Sequence, residues 1–255
     1  MNEIRFCLST RCSSGIEGLD KILLGGYPRG RTVLIEGQPG AGKTLMCLHF
    51  VHSGIYSDPK NPENAIIVLL DSSPQDFIED AQSIFKKWDI LKTIERGHLI
   101  LIDGYTGRLG FKPKGPFAIP QNQFEVEPVI KKIIEAQRHN NARRLVVDPV
   151  SRLFRGSSLD GRDKAIDELT FFLQNGSTEE MKEEKIPLTT LLTVESVQGR
   201  FSEEQYGAHG VIRLSFERRE STKVRTLEIL KMRRTMHTMD YVEYEIGVDG
   251  INVFA

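Results

Sequence analysis

The segment Gly37-Gln38-Pro39-Gly40-Ala41-Gly42-Lys43-Thr44 fits the pattern G-x-x-x-x-G-K-[ST] at every fixed position. An apolar β-type run, Thr32-Val33-Leu34-Ile35-Glu36, precedes it, and Leu45-Met46-Cys47-Leu48-His49-Phe50 leads away with helical character. Strand, glycine loop and helix in that order are the context that makes such a loop a phosphate cradle. Glycines let consecutive backbone N–H groups turn toward an anion. The helix directs its positive N-terminal end at the same place. Lys43 would reach the β- and γ-phosphates of a nucleotide, and the Thr44 hydroxyl would ligate Mg²⁺. Residues Gly37 to Leu45 are therefore read as a site for ATP with Mg²⁺; a glycine-rich turn without a ligand is the bland alternative.

The rest of the composition sets few limits. A length of 255 residues suits one large α/β domain or two small ones. A net charge of -1 gives no global push toward nucleic acid or membranes. No apolar run approaches the roughly 18 residues needed to span a bilayer, and the N-terminus lacks a signal-peptide core. The expected location is cytoplasmic, without membrane insertion. Cys7, Cys12 and Cys47 are an odd set without metal-ligand spacing, which argues against a disulfide framework. His49 and His52 lie three apart on one helix, but no third ligand accompanies them. His98, His139 and His209 also lack metal spacing, so core or surface roles are expected.

Unbroken apolar runs at 32–36, 65–70, 98–102, 144–148 and 188–194 predict strands covered on both faces, as in a parallel sheet. Helical patterns at 43–55, 74–87, 127–139 and 163–174 alternate with them, which points to a doubly wound α/β core. Residues 209–216, 224–231, 241–246 and 251–254 instead read as successive strands with polar turns, and Arg213 to Phe216 and Val224 to Ile229 alternate polar and apolar positions. They predict an antiparallel meander continuing one edge of the same sheet. Residues 1–255 read as one domain, with candidate surface insertions at 106–124 and 175–187. Trp88 is expected to pack against the sheet edge near a helix end.

Arg143-Arg144-Leu145-Val146-Val147-Asp148 ends a buried-type strand in a carboxylate, where a second Mg²⁺ ligand acting through water is expected. With this, the chain resembles KaiC-like ATPases of the RecA superfamily over nearly its whole length. The opening Ser14-Gly15-Ile16-Glu17-Gly18-Leu19-Asp20, the segment Gly25-Gly26-Tyr27-Pro28-Arg29-Gly30-Arg31 and the stretch Ser73-Pro74-Gln75-Asp76 carry the likeness. So do Thr226 to Arg233, followed by Thr235 and His237, and the ending Asp249-Gly250-Ile251-Asn252-Val253-Phe254. The resemblance implies a RecA-like P-loop core, mainly a parallel sheet flanked by helices with C-terminal antiparallel strands. It also implies a homo-oligomer, commonly a six-membered ring, with ATP between neighbours. Lys231 and Arg233 would then act in trans on ATP held by Lys43 and Thr44 of the next subunit, with His237 near the same nucleotide. On the residues alone, Lys231 and Arg233 read more simply as cations on one face of an exposed strand.

The chain departs from that pattern at Leu70-Asp71-Ser72-Ser73. The family usually carries two adjacent glutamates there, one activating the attacking water; here Asp71 and Ser72 stand in their places. Aspartate withdraws its carboxylate by about 1.5 Å, and misplacement on this scale can cost about 10²-fold in rate. Either Asp71 positions water for slow hydrolysis, or hydrolysis is largely lost and ATP acts as a switch. Thr193 and Glu195, at the end of another core strand, stand where the family often places a polar sensor of the γ-phosphate. The loop at 196–208 holds Arg200 and Phe201 but also Glu203 and Glu204, so it is no clear platform for a single strand. Arg218, Arg219, Lys223, Arg225, Arg233 and Arg234 are the best nucleic-acid candidates. Glu217 and Glu220 between them favour a solvated hairpin or an intersubunit surface. The reading is an ATP-binding protein, slowly hydrolytic and coupled to assembly or signalling. A DNA-binding recombinase-like accessory and a non-hydrolysing, ATP-gated scaffold for a protein partner remain open beside it.

Overall fold

A computed structural model of the chain describes residues 11–121, 125–154, 168–173, 188–195, 204–219 and 222–255. A short antiparallel ladder joins β1 (Arg11–Cys12) to β2 (Tyr27–Pro28), with helix α1 (Glu17–Ile22) between them. The core follows as β3 (Thr32–Gly37), α2 (Lys43–Tyr56), β4 (Ala65–Leu69), α3 (Pro74–Ile84), α4 (Ile90–Glu95) and β5 (Leu99–Asp103). It continues through α5 (Tyr105–Arg108), α6 (Val126–Asn140), β6 (Arg144–Asp148), a 3₁₀ turn (Val150–Phe154) and β7 (Thr189–Glu195). Strands β8 (Gly210–Arg219), β9 (Thr222–Met232), β10 (Val242–Gly247) and β11 (Gly250–Val253) complete it.

The described strands form a nine-stranded sheet in the order β11-β10-β9-β8-β3-β7-β6-β4-β5. Pairing is parallel from β8 to β5 and antiparallel from β8 to β11. The expected mainly parallel α/β sheet with antiparallel C-terminal strands is the architecture found. Side chains alternate across a strand, and the cores follow that parity. Val33, Ile35, Ile67, Leu69, Val146 and Leu191 pack with Met46 and Phe50 of α2 on one face. Leu34, Ile66, Val68, Leu145, Val147 and Leu192 pack with Val129, Ile133 and Ala136 of α6 on the other. Double coverage is why these strands read as unbroken apolar runs.

Three local outcomes differ from the sequence reading. The helix expected at 74–87 ends at Ile84, after starting on a Ser73 cap that accepts from the Asp76 N–H. Phe85 leaves the helix and closes an aromatic cluster with His52 and Trp88. Asp89 then caps α4 by accepting from the Lys92 N–H, so Trp88 lies in a turn between two helices, buried in the same apolar cluster as Leu99 of the edge strand β5. The segment from 106 to 121 returns to the core at its far end. The Asp103 N–H donates to Phe117 O, the Ile119 N–H donates to Asp103 O, and Ile119 is buried. A Cβ on Gly107 would lie 1.9 Å from Ile119 O, so only glycine admits that approach. Finally, β9 ends at Met232 and is flanked by β8 and β10. Arg233 therefore sits in the following turn, and the expected sharing of one exposed strand face with Lys231 does not hold. The candidate insertion at 175–187, residues 163–167 of the fourth helix, and Arg200, Phe201 and Glu203 lie outside the described residues.

Candidate nucleotide-binding site

Strand β3 delivers the glycine loop to the C-terminal edge of the parallel strands. A Cβ on Gly37 would meet Leu214 O of β8 at 2.7 Å, so the loop begins where only glycine clears the neighbouring strand. Gly40 and Gly42 have φ of 80° and 96°, the left-handed region that glycine enters freely. Between them, Ala41 donates its N–H to Gln38 O at 3.2 Å. Gly42 caps α2 without any side-chain cap, and the first intrahelical bond is Met46 N–H to Gly42 O. The N–H groups of Lys43, Thr44 and Leu45 therefore have no intrahelical acceptor, the arrangement that binds anions at a helix start. Lys43 Nζ donates to Gly37 O at 2.8 Å and to Gln38 O at 3.2 Å. Burial lowers its pKa from the usual lysine value, while the charges of Glu195 and Asp148 oppose that shift.

Asp148, at the end of β6, faces this helix start. Thr44 Oγ1 donates to Asp148 Oδ2 at 2.7 Å, and Thr193 Oγ1 of β7 donates to Oδ1. Burial pushes the Asp148 carboxyl up, the two hydroxyl bonds and Lys43 draw it down, and the Asp71 charge raises it. Glu195 ends β7 in register with Gly37 and is exposed. Asp71 follows Leu70, whose N–H donates to Asp148 O at 2.9 Å. Its carboxylate pairs with Arg152 at 2.7 Å and with Arg108 at 3.8 Å. Sequence reasoning missed both arginines, because neither lies near Asp71 along the chain. It missed the loop's supports too: Tyr244 of β10 donates its hydroxyl to Ala41 O at 2.5 Å, and Ile246 packs beside Gly42. The fully buried Glu36, just before the loop, is held by Arg213 and by Gln205 at 2.5 Å.

Gly37 to Leu45, Asp71, Asp148, Thr193 and Glu195 thus converge on one edge of the sheet. Lys231, Arg233 and His237 do not join them. Strand β9 runs antiparallel to β8, so its last residue, Met232, pairs with Gly210 at the N-terminal end of the parallel strands. The Arg233 N–H donates to His209 O, and the His209 N–H donates to Thr32 O, each at 2.9 Å. At about 3.3 Å per residue, the six residues of β3 put roughly 17 Å between that end and Gly37. Lys231 Nζ donates to Gln205 O at 3.1 Å, and burial with the nearby Arg233 charge lowers its pKa. His209 is held down at about 4 by burial and by Arg31, Arg233, Lys231 and Arg234 around it. His237, half-buried, lies in the connection from β9 to β10 and shares a 2.9 Å contact between its Nδ1 and Thr238 O.

The remaining candidates carry less. On the β8–β9 hairpin, Lys223 and Arg225 flank the Phe216 ring at 5.9 and 5.4 Å, while Arg219 is paired with Glu243 and with Glu217. Cys12 and Cys47 are buried free thiols. Among the described residues, no group of three or more His, Cys, Asp or Glu could hold a metal, and no helix is long and apolar enough to cross a membrane.

Known proteins place this geometry in a family. The family described as ATPase: KaiC matches residues 12–255. The circadian clock oscillator protein KaiC of Parathermosynechococcus lividus is 31% identical over 246 residues, covering 94% of this chain and 42% of that protein. The KaiC of Synechococcus elongatus is 30% identical over 244 residues, covering 94% and 43%. The chain therefore spans less than half the length of these curated relatives. A crystal structure of a KaiC-like protein from the archaeon Pyrococcus horikoshii OT3 superposes with a TM-score of 0.77 at 27% identity, covering 96% of this chain and 99% of that one. With its nucleotide-type loop on a RecA-like sheet and a family match from residue 12 to residue 255, the chain belongs to the KaiC family of ATPases.

Proposed function

We propose that this protein binds Mg-ATP and hydrolyses it slowly at interfaces between identical subunits, with turnover coupled to assembly or signalling. The phosphates lie against the free N–H groups at the start of α2, with Lys43 turning from the Gly37 and Gln38 carbonyls to the β- and γ-phosphates. Thr44 and Asp148 already share a hydrogen bond and supply hard oxygen ligands, the donor type Mg²⁺ prefers. Bound there, Mg²⁺ would neutralise charge on the β- and γ-phosphate oxygens. Thr193 holds the other Asp148 oxygen and fixes the carboxylate's orientation.

One observation carries the intersubunit part. Arg233 lies at the opposite end of the sheet from its own loop, roughly 17 Å away by strand rise, so its side chain cannot cover the distance. If Arg233 meets a γ-phosphate, that phosphate belongs to a neighbour. A cation supplied in this way stabilises charge in the transition state and ties hydrolysis to assembly. The test mixes Lys43→Ala with Arg233→Ala subunits. Phosphate release should reappear in the mixed assembly, since one intact loop then meets one intact arginine. No recovery in demonstrably mixed oligomers rules the shared site out.

A second reading, an ATP-gated scaffold without turnover, is favoured by the engagement of Asp71 with two arginines. An Mg-ATP-dependent change of size without phosphate release selects it.

A further inference from the structure

Asp71 occupies a telling position among the strand ends. Strand β4 lies between β6 and β5 in the sheet. Arg152 comes from the 3₁₀ turn that follows β6, and Arg108 comes from α5, which follows β5. Both neighbours of β4 therefore send an arginine to the carboxylate that emerges from it. Both guanidinium groups address the same oxygen, Oδ1, Arg152 at 2.7 Å and Arg108 at 3.8 Å. Arg108 is held against the Tyr105 ring at 5.5 Å, and its Nε is buried with no hydrogen-bond partner among the described residues. Its placement beside Asp71 therefore follows from packing more than from a full set of hydrogen bonds.

We infer that Arg152 and Arg108 form a latch that holds the Asp71 carboxylate off the water attacking ATP, which makes Arg152 a positioning residue that limits turnover. The inference rests on the nucleotide reading of the site. In the limited step, the water oxygen bonds to the γ-phosphorus as the bond from that phosphorus to the β–γ bridging oxygen breaks. The water's proton passes to a carboxylate or to the departing phosphate, and ADP and inorganic phosphate result. A carboxylate assists only while a lone pair lies within hydrogen-bond reach of that water. Asp71 is near enough for its charge to act on Asp148, so it is a carboxylate of this site. A charge-assisted bond to arginine is stronger than one to water, and a planar guanidinium fixes the direction of the carboxylate as well as its distance. The short aspartate side chain cannot satisfy Arg152 and follow the water at once. With 42% of its side chain exposed, Asp71 is held reversibly, since solvent screens such a pair.

The test compares the full-length parent with Arg152→Gln, Arg152→Lys and Arg108→Gln. Each is titrated with Mg-ATP for affinity, which also reports folding, and assayed for steady-state phosphate release. Arg152→Gln should raise kcat by roughly three- to tenfold and change ATP affinity by less than about twofold, the signature of an effect confined to the chemical step. Arg152→Lys keeps the charge but offers no planar fork, and should give a smaller rise. Arg108→Gln removes the longer contact and should also give a smaller rise. In an Asp71→Asn background, Arg152→Gln should add nothing. Unchanged or lower turnover in Arg152→Gln with ATP binding intact overturns the latch alone, as does an equal gain in the Asp71→Asn background. Loss of Mg-ATP binding throughout, parent included, overturns the nucleotide reading and the latch with it.

Discussion

Tyr244 stands on β10, 203 residues along the chain from Ala41, and its hydroxyl donates to the Ala41 carbonyl at 2.5 Å. That bond points one loop carbonyl away from the cradle, leaving neighbouring N–H groups free to face an anion. The Tyr244 ring is buried, and burial pushes its hydroxyl up to about 12, so it stays a donor throughout the neutral range. Removing it with Tyr244→Phe keeps the ring but leaves a buried carbonyl unpaired, a cost of about 1–3 kcal/mol. Some of that cost should appear as nucleotide affinity weakened by several-fold, read by Mg-ATP titration against a thermal melt that shifts by only a few degrees. Undiminished affinity would separate Tyr244 from the loop's function. The glycines, Lys43, Thr44 and Asp148 were legible in the sequence because fixed spacing and strand ends announce them. Tyr244, Arg152 and Arg108 were not, because what gives each its role is a partner brought near by sheet order alone.

At the scale of elements, the parallel strands were the most legible part. Their apolar runs end within about a residue of the observed strands because two helical layers leave no polar face to blur them. The alternating C-terminal runs were legible for the opposite reason, and they do continue one edge of the sheet. The helix at 74–87 was drawn too long because Phe85 and Trp88 keep its apolar spacing while serving the cluster around His52. The return of 117–119 into the core was hidden by the glycines and prolines before it. How α2 docks on the C-terminal hairpin has a pH signature. His49 Nε2 accepts the Ile251 N–H at 2.8 Å, so it must be unprotonated there. Burial holds its pKa down at about 4 from the ordinary 6.5, against a hydrogen bond to the Gly15 backbone that raises it. The unfolded chain therefore takes up that proton first as pH falls. The stabilisation is complete above about 6.5 and drains away as pH drops toward 4, on the order of 3 kcal/mol in all. Urea unfolding between those limits should show the parent losing stability more steeply than His49→Gln, which keeps an acceptor without a titrating ring. Parallel profiles would assign the acid sensitivity elsewhere, with His209 the next group to examine because it too is held at about 4.

Across the whole molecule, the sheet separates two kinds of chemistry by its full depth. Groups suited to holding a nucleotide gather at the C-terminal edge of the parallel strands, and the cation Arg233 stands at the other. Antiparallel β9 creates this polarity: a parallel strand in its place would end beside the loop. On the proposed function, a monomer with this layout would bind but lack the charge supplied in trans, whereas a head-to-tail contact would repeat the same junction in every subunit and close a ring if the rotation allows. The two halves should therefore fail differently. Lys43→Ala removes the phosphate contact within a subunit, so Mg-ATP affinity should fall by at least about tenfold, as expected for a buried charge-assisted bond. Arg233→Ala leaves every loop residue in place. At concentrations where the protein is dispersed, its ATP affinity should match the parent's, while phosphate release and any Mg-ATP-dependent growth in size by light scattering should both drop. Equal loss of binding in the two variants under dispersed conditions would mean that Arg233 acts within its own subunit, and a rearrangement far larger than side-chain motion would then be needed to carry it there.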